Sequence, residues 1–198
     1  IIYTARIIPV RGSWIDMEVD PKDIVHIRID RRRKFPVTLL FKAFGYSTED
    51  LLSYFYDKEK IFFRDGEVFR EFKESHLKGQ RASLDIVDPE SGEIILKQGR
   101  MFTLKAIRQI KAANLGMFPI REEDLLNKVM AHTVWDMKTR TPIAKANEEL
   151  IQETIDRIKE AGVDGFEIVF TDGIATSDCI RKTLQMDKVE NKEEALLE

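Results

Sequence analysis

Cysteine is almost missing from this sequence: Cys179 is the one thiol in 198 residues. That excludes an internal disulfide framework and any multi-cysteine zinc site, and fits a reducing compartment. Histidine is nearly as scarce. His26, His76 and His132 fall in different elements, so neither a metal centre nor a Cys/His nucleophile pair is expected, and Cys179 reads as a small, half-buried packing residue. With 10 Gly and 6 Pro the chain is neither collagenous nor of low complexity. No apolar run approaches the ~18 residues of a membrane helix, so no membrane partner is expected. A strong charge of one sign is missing too. Lys and Arg number 32 against 35 Asp and Glu, a net charge of −3, which argues against a generally nucleic-acid-coating protein; any basic surface must be local. A phosphate-binding glycine loop, His-Glu-x-x-His, Gly-x-Ser-x-Gly and a calcium loop are all absent. Acidic pairs lie in exposed helices or turns, and no catalytic or metal-binding residue is assigned. The chain opens at Ile1 within an apolar run, without an initiator Met or signal-peptide architecture, and the expectation is a piece of a longer protein.

What is present is an ordinary globular balance, 43% hydrophobic and 34% charged, with two clear textures. In the first, Ile15, Met17 and Val19 alternate with polar residues, as do Val25, Ile27 and Ile29, which predicts two half-buried strands joined through Asp20-Pro21-Lys22-Asp23. Their apolar faces coincide only if Val19 stands opposite Val25, Met17 opposite Ile27 and Ile15 opposite Ile29, with a loop of three or five residues. That register sets Glu18 by His26, Asp16 by Arg28 and Trp14 by Asp30, and leaves Trp14 as a large aromatic on the polar face. Pro36 suits a first helical position before a short helix ended by Gly45, and Ser47-Thr48-Glu49-Asp50 has capping-box spacing ahead of a second helix.

From about Lys58 the pattern changes to short strands and turns. Asp65-Gly66 is a two-residue hairpin signal between Ile61–Arg64 and Glu67–Arg70, and Asp88 to Gly92 is a longer loop of the same kind. Thr103 is the expected cap of a helix through Ala113 with Leu104, Ile107 and Ile110 on one face. Val129 to Trp135 and Ile143 to Ala146 are further candidate strands, and a helix is expected from Asn147 to Gly162 before a strand at Phe166 to Phe170. Ser177 to Glu198 looks helical, with a solvated acidic end. The fold class is therefore α+β: a small antiparallel-sheet-plus-helices lobe, residues 1–56 with 173–198, interrupted by an inserted mixed α+β module, 57–172.

One cluster carries chemistry: Arg11-Gly12-Ser13-Trp14 together with the basic run Arg28 to Lys34, in which five of seven residues are Arg or Lys. Arginines supply phosphate contacts and an exposed indole supplies a stacking face for an unpaired base. No recognition helix or zinc finger accompanies them, so single-stranded or melted nucleic acid fits better than duplex. A solvated strand end, or a tryptophan covered by another domain, is the bland alternative.

Three ordered motifs, Tyr3-Thr4-Ala5-Arg6-Ile7-Ile8-Pro9, Arg11-Gly12-Ser13-Trp14-Ile15-Asp16-Met17-Glu18 and Arg28-Ile29-Asp30-Arg31-Arg32-Arg33-Lys34-Phe35-Pro36, resemble the lobe region of the β subunit of bacterial DNA-directed RNA polymerase. The resemblance is dense to about residue 56, thins through the middle, and returns at Arg100, Ile107-Arg108-Gln109, Ala146-Asn147 and Thr183-Leu184. It implies a segment of a nucleotidyltransferase that acts in transcription in the bacterial cytoplasm, associated with the nucleoid, with residues 57–172 as a lineage-specific insertion. It implies that Trp14 stacks on an unpaired nontemplate-strand base at the downstream edge of the bubble, and that Arg31, Arg32, Arg33 and Lys34, with Arg11 of the Arg-Gly-Ser-Trp motif, contact that strand. Implied partners are β′, two α, ω, sigma factor, the nontemplate strand and the downstream duplex. No cofactor is expected in this segment, because the family's catalytic Mg2+ is held by carboxylates of another subunit. The competing reading is a protein-interaction platform for transcription factors or sigma factor, without nucleic-acid contact.

Overall fold

The computed structural model describes residues 3–171 and 177–197. The expected boundary at 172–173 and the Ile1 end of the opening apolar run lie outside them. The chain forms two compact units. One comprises the residues up to Tyr56 and those from Thr171 onward, the other Asp57–Phe170. Both combine antiparallel sheet with helices, an α+β architecture.

In the first unit, β1 (Thr4–Ile7), β2 (Ile15–Val19), β3 (Val25–Ile29) and β4 (Lys34–Pro36) form one antiparallel sheet in sequence order. The β2–β3 register is Ile15↔Ile29, Asp16↔Arg28, Met17↔Ile27, Glu18↔His26 and Val19↔Val25, as the coincidence of apolar faces requires. The connection is the five-residue form. Asp20 organises it by accepting the N–H groups of Lys22 (2.8 Å) and Ile24 (2.9 Å) on Oδ1, an Asx turn.

Pro36 is not the first helical residue. It closes β4 opposite His26 with ψ 139°, and α1 (Val37–Ala43) starts one position later; the ring fixes φ in either setting, and strand pairing decides ψ. Gly45, at φ 95°, ends α1: its N–H donates to Lys42 and that of Tyr46 to Phe41, a Schellman closure. The α2 helix (Thr48–Phe55) carries the full capping box. Asp50 N–H donates to Ser47 Oγ (3.1 Å) and Ser47 N–H to Asp50 Oδ2 (2.8 Å); the Ser47 hydroxyl, donating to Asp50 Oδ2 at 2.7 Å, and then the Ser47 N–H hold the Asp50 carboxyl below its ordinary value.

The second unit starts with β5 (Lys58–Arg64) and β6 (Glu67–Glu71), turned at Asp65 (φ 51°) and Gly66 (φ 81°). There follow α3 (Glu74–Leu77), β7 (Ile86–Val87), β8 (Ile94–Leu96), α4 (Leu104–Ala112), β9 (Met117–Ile120), β10 (Val134–Trp135), β11 (Pro142–Ala144), α5 (Gln152–Glu160) and β12 (Gly165–Val169). Its main sheet has the order β12-β5-β6-β9. Leu77, Ile110, Met130, Leu150, Ile155 and Ile158, each fully buried, are at the centre of its core. Thr103 caps α4 by accepting the Ala106 N–H. Leu104, expected on the buried face, is exposed, and Ala106 packs inward beside Ile107 and Ile110. The α5 helix begins at Gln152 rather than Asn147. Asn147 is left-handed (φ 69°), and its N–H and that of Leu150 donate to Met130 and Lys128, so this stretch runs alongside residues 128–130 as backbone pairing and delivers Leu150 to the core.

The first unit resumes with α6 (Cys179–Met186) and α7 (Lys192–Leu197). Ile180, Thr183 and Leu184 form the buried face of α6, and the Thr183 hydroxyl oxygen accepts the Val25 N–H at 2.9 Å. The acidic tail is only partly solvated: the Asp187 side chain and Ala195 are buried, and α7 lies against α1.

Candidate nucleic-acid interface

Trp14 sits one residue before β2, and the facing strand fixes its backbone. Asp30 N–H donates to the Trp14 carbonyl (3.0 Å), Trp14 N–H donates to Asp30 Oδ1 (3.2 Å), and the Ser13 hydroxyl donates to Asp30 Oδ2 (2.6 Å). Asp30 (φ 51°) and Arg31 (φ 57°) are both left-handed, and Arg32 N–H donates to the Ile29 carbonyl at 3.1 Å. Two central residues of positive φ closed by that bond have the form of a type I′ turn, whose twist suits a hairpin. The turn carries the arginine run to the end of the sheet where Trp14 lies.

The indole is 38% exposed and has an arginine from each neighbouring strand pair. The guanidinium carbon of Arg31 is 5.8 Å from the ring centroid and that of Arg6, from β1, is 5.5 Å away, both within cation–π range. Arg6 is also tied to Asp16 by an ion pair. Asp16 stands opposite Arg28 in register, yet its carboxylate receives Arg6 from the other neighbouring strand. An open hollow of about 290 Å³ is bounded by Gly12, Trp14, Asp30 and Arg31.

The expected site residues separate into groups. Trp14 and Arg31 meet. Arg32 and Arg33 are exposed on the same connection. Lys34 is half-buried and its ammonium donates to Glu18 Oε1 at 2.8 Å, which holds the Glu18 carboxyl below its ordinary value. Arg11 is exposed, and its side chain has no partner among the described residues. Arg6 was not among the expected site residues. The alternation that locates β2 and β3 is weak in Tyr3–Pro9, so the sequence gives no register for β1, and only that register brings Arg6 beside Asp16 and Trp14.

The polar face of the sheet below the indole is largely paired internally, through Arg6–Asp16, Lys34–Glu18 and His26–Asp20 (3.1 Å). The Asp20 carboxyl is held low chiefly by the Ile24 N–H, with His26 adding to it. Among the described residues no group of three or more His, Cys, Asp or Glu side chains converges as a metal site, and no helix is long and apolar enough to cross a membrane.

The family model described as RNA polymerase Rpb2, domain 2, matches residues 1–60. The DNA-directed RNA polymerase subunit beta of Desulfatibacillum aliphaticivorans is 53% identical over the whole chain, that of Desulforapulum autotrophicum 56%, and that of Bdellovibrio bacteriovorus 48%. The chain spans 14% of the length of each of these curated relatives. Matched from end to end at such identity, the chain belongs to the family of the bacterial RNA polymerase β subunit, of which it corresponds to one segment.

Proposed function

We propose that this chain acts within a DNA-directed RNA polymerase, a nucleotidyltransferase of the bacterial cytoplasm and nucleoid, as the part of the β subunit that borders the downstream cleft. Trp14 is the platform for an unpaired nontemplate-strand base, and Arg31, Arg32 and Arg33 are the cations for the flanking phosphates. Lys34 and Arg11 have lesser parts, the first because Glu18 already pairs it, the second because it lies outside the hollow. The observation that carries this reading is the meeting of a part-exposed indole, its backbone locked by Asp30, with the turn that bears the arginine run. Stacking of a base on an aromatic ring beside phosphate-binding cations is the general mode of single-strand binding. The units β′, two α, ω and sigma factor, together with downstream duplex DNA, are the corresponding partners, and the catalytic magnesium of the whole enzyme is held outside this chain. Residues 57–172 are the inserted module, a reading supported by the end of the family-model match at residue 60 and the separate unit Asp57–Phe170.

The test is Trp14→Ala in the whole polymerase on bubble DNA. Base-dependent interaction with the nontemplate strand should weaken by about 1–3 kcal/mol, the worth of one stacked base. No change on any bubble sequence overturns the reading. A second reading, a docking platform for transcription proteins, is favoured by the exposed aromatics Phe44, Tyr46 and Tyr54 of the first unit; it predicts that Tyr54→Ala, and not Trp14→Ala, impairs function.

A further inference from the structure

Two arginines attend the Trp14 indole, and they are held in different ways. Arg6 comes from β1 and Arg31 from the turn after β3, with β2 between them in the sheet, so they reach the tryptophan from the two strands that flank β2. Arg6 is anchored: it is central to a strand and bonded to Asp16. Arg31 is at the tip of the turn, in a left-handed conformation unusual for a side chain of its size, and it has no ion pair among the described residues. The hollow beside the indole is walled by Arg31 and not by Arg6, and its far wall is Gly12, at φ 112°, which presents bare backbone and lets a flat ring come close.

We propose that Arg31 is a displaceable lid on the stacking face of Trp14 and Arg6 its fixed backing: without nucleic acid the Arg31 guanidinium covers the indole, and an entering nucleobase of single-stranded DNA takes its place while Arg31 swings to a neighbouring phosphate. The proposal rests on the reading of Trp14 as a base platform. Arg31 and the base compete for one surface, so the platform is partly screened from the solvent until a strand arrives. The exchange conserves contacts, since the cation leaves a ring face for a phosphate and the base fills the ring face it left. Arg6 is a positioning residue: held by Asp16, it stays when the base enters and limits the tilt of the ring.

Two measurements separate the lid from the platform. In the full chain carrying Trp135→Phe, Trp14 is the one remaining tryptophan, and acrylamide quenching reports its covering without DNA. Loss of an exposed cation–π contact shifts the covered population by about two- to fivefold, so Arg31→Ala should raise quenching by a factor of that order. Arg31→Lys, which keeps the charge and lacks the flat guanidinium, should move it the same way with an unchanged circular dichroism spectrum. Unchanged quenching in both variants overturns the lid. In the whole polymerase, 2-aminopurine placed in the nontemplate strand at the downstream edge of the bubble reports stacking by loss of its fluorescence. Arg31→Ala should keep that loss and lower the salt slope of binding by about one, whereas Arg6→Ala should reduce the loss and keep the slope. Abolished stacking in Arg31→Ala, or full stacking in Arg6→Ala, overturns the division of roles. If Trp14→Ala leaves the 2-aminopurine signal as it was, the platform reading fails instead, whatever the quenching in the DNA-free chain.

Discussion

Lys42 Nζ and Asp187 Oδ2 are 3.0 Å apart, with side chains only 4% and 3% exposed, and they join α1 to the segment after α6. The Thr38 hydroxyl donates to the same carboxylate oxygen at 2.8 Å, and the Lys42 ammonium also donates to the Val189 carbonyl. Removing one partner strands a buried charge, so Asp187→Ala should destabilise the first unit by about 3–5 kcal/mol, whereas Lys42→Met with Asp187→Leu should recover most of that loss. Denaturant unfolding of the single and double variants is the measurement. Equal losses for both would mean that the pair itself, and not the stranded charge, carries the stability.

Tyr56 closes the first stretch of that unit with its ring buried and its hydroxyl bonded twice, donating to the Ser177 carbonyl (3.0 Å) and accepting the Arg181 N–H (3.1 Å). Burial pushes its ionisation up from 10.0 to about 12. A raised folded value means that the stabilisation is complete below pH 10 and is lost as the pH rises towards 12. An ultraviolet titration should show one phenol ionising near 12 that disappears in Tyr56→Phe. That variant should also lose about 0.5–1.5 kcal/mol of stability for its missing hydrogen bond.

Gly165 is required by space rather than by φ. A Cβ there would fall 2.5 Å from the Ile61 carbonyl oxygen and 3.3 Å from Phe62 Cδ1, whereas one at Gly116 would meet nothing within 4 Å. Gly165→Ala should destabilise the second unit by about 1–3 kcal/mol, since the backbone of β5 must yield. Gly116→Ala should be neutral or slightly stabilising through the unfolded chain. Thermal melts of the two variants side by side decide the matter; equal melting temperatures would remove the steric argument.

The cations of the run should not contribute alike to DNA binding. Lys34 is already engaged by Glu18 at 2.8 Å, while Arg32 is exposed at the turn. Neutral substitution of Arg32 should lower the salt slope of open-complex binding by about one unit, and substitution of Lys34 should lower it less. A larger drop for Lys34 would place the phosphate path across the sheet face instead of along its end.

What the sequence made legible was local or periodic. The alternation of Ile15, Met17 and Val19 against Val25, Ile27 and Ile29 determines a register without further knowledge, because a slip of one residue exposes every apolar side chain. Asp65-Gly66, Ser47 with Asp50, and Thr103 declare a turn and two caps through chemistry that acts over two to four residues. Trp14 was legible as an anomaly on the polar face, and Arg31 as part of a run. Arg6 was not, since its place depends on β1 finding the outer edge of β2. Asn147 to Leu150 read as the start of a helix by apolar spacing, and pairing with residues 128–130 outweighed that spacing. The Lys42–Asp187 pair was invisible for the same reason: two charges in helical or acidic context look solvated until the fold covers them.

The second unit begins and ends on neighbouring strands. Lys58 faces Val169 across the β5–β12 ladder, and Phe170 N–H donates to the Asp57 carbonyl at 2.8 Å. Its two ends are thus one strand spacing apart, so the polypeptide that hosts it meets the whole module as though it were a tight hairpin. Closure entropy grows only slowly with loop length, by roughly 0.6 kcal/mol for each doubling, and with the ends already paired inside the module even that cost does not reach the host. A change of length inside the module therefore adds little closure cost to the residues that flank it, because the ends at Asp57 and Phe170 stay paired whatever lies between them.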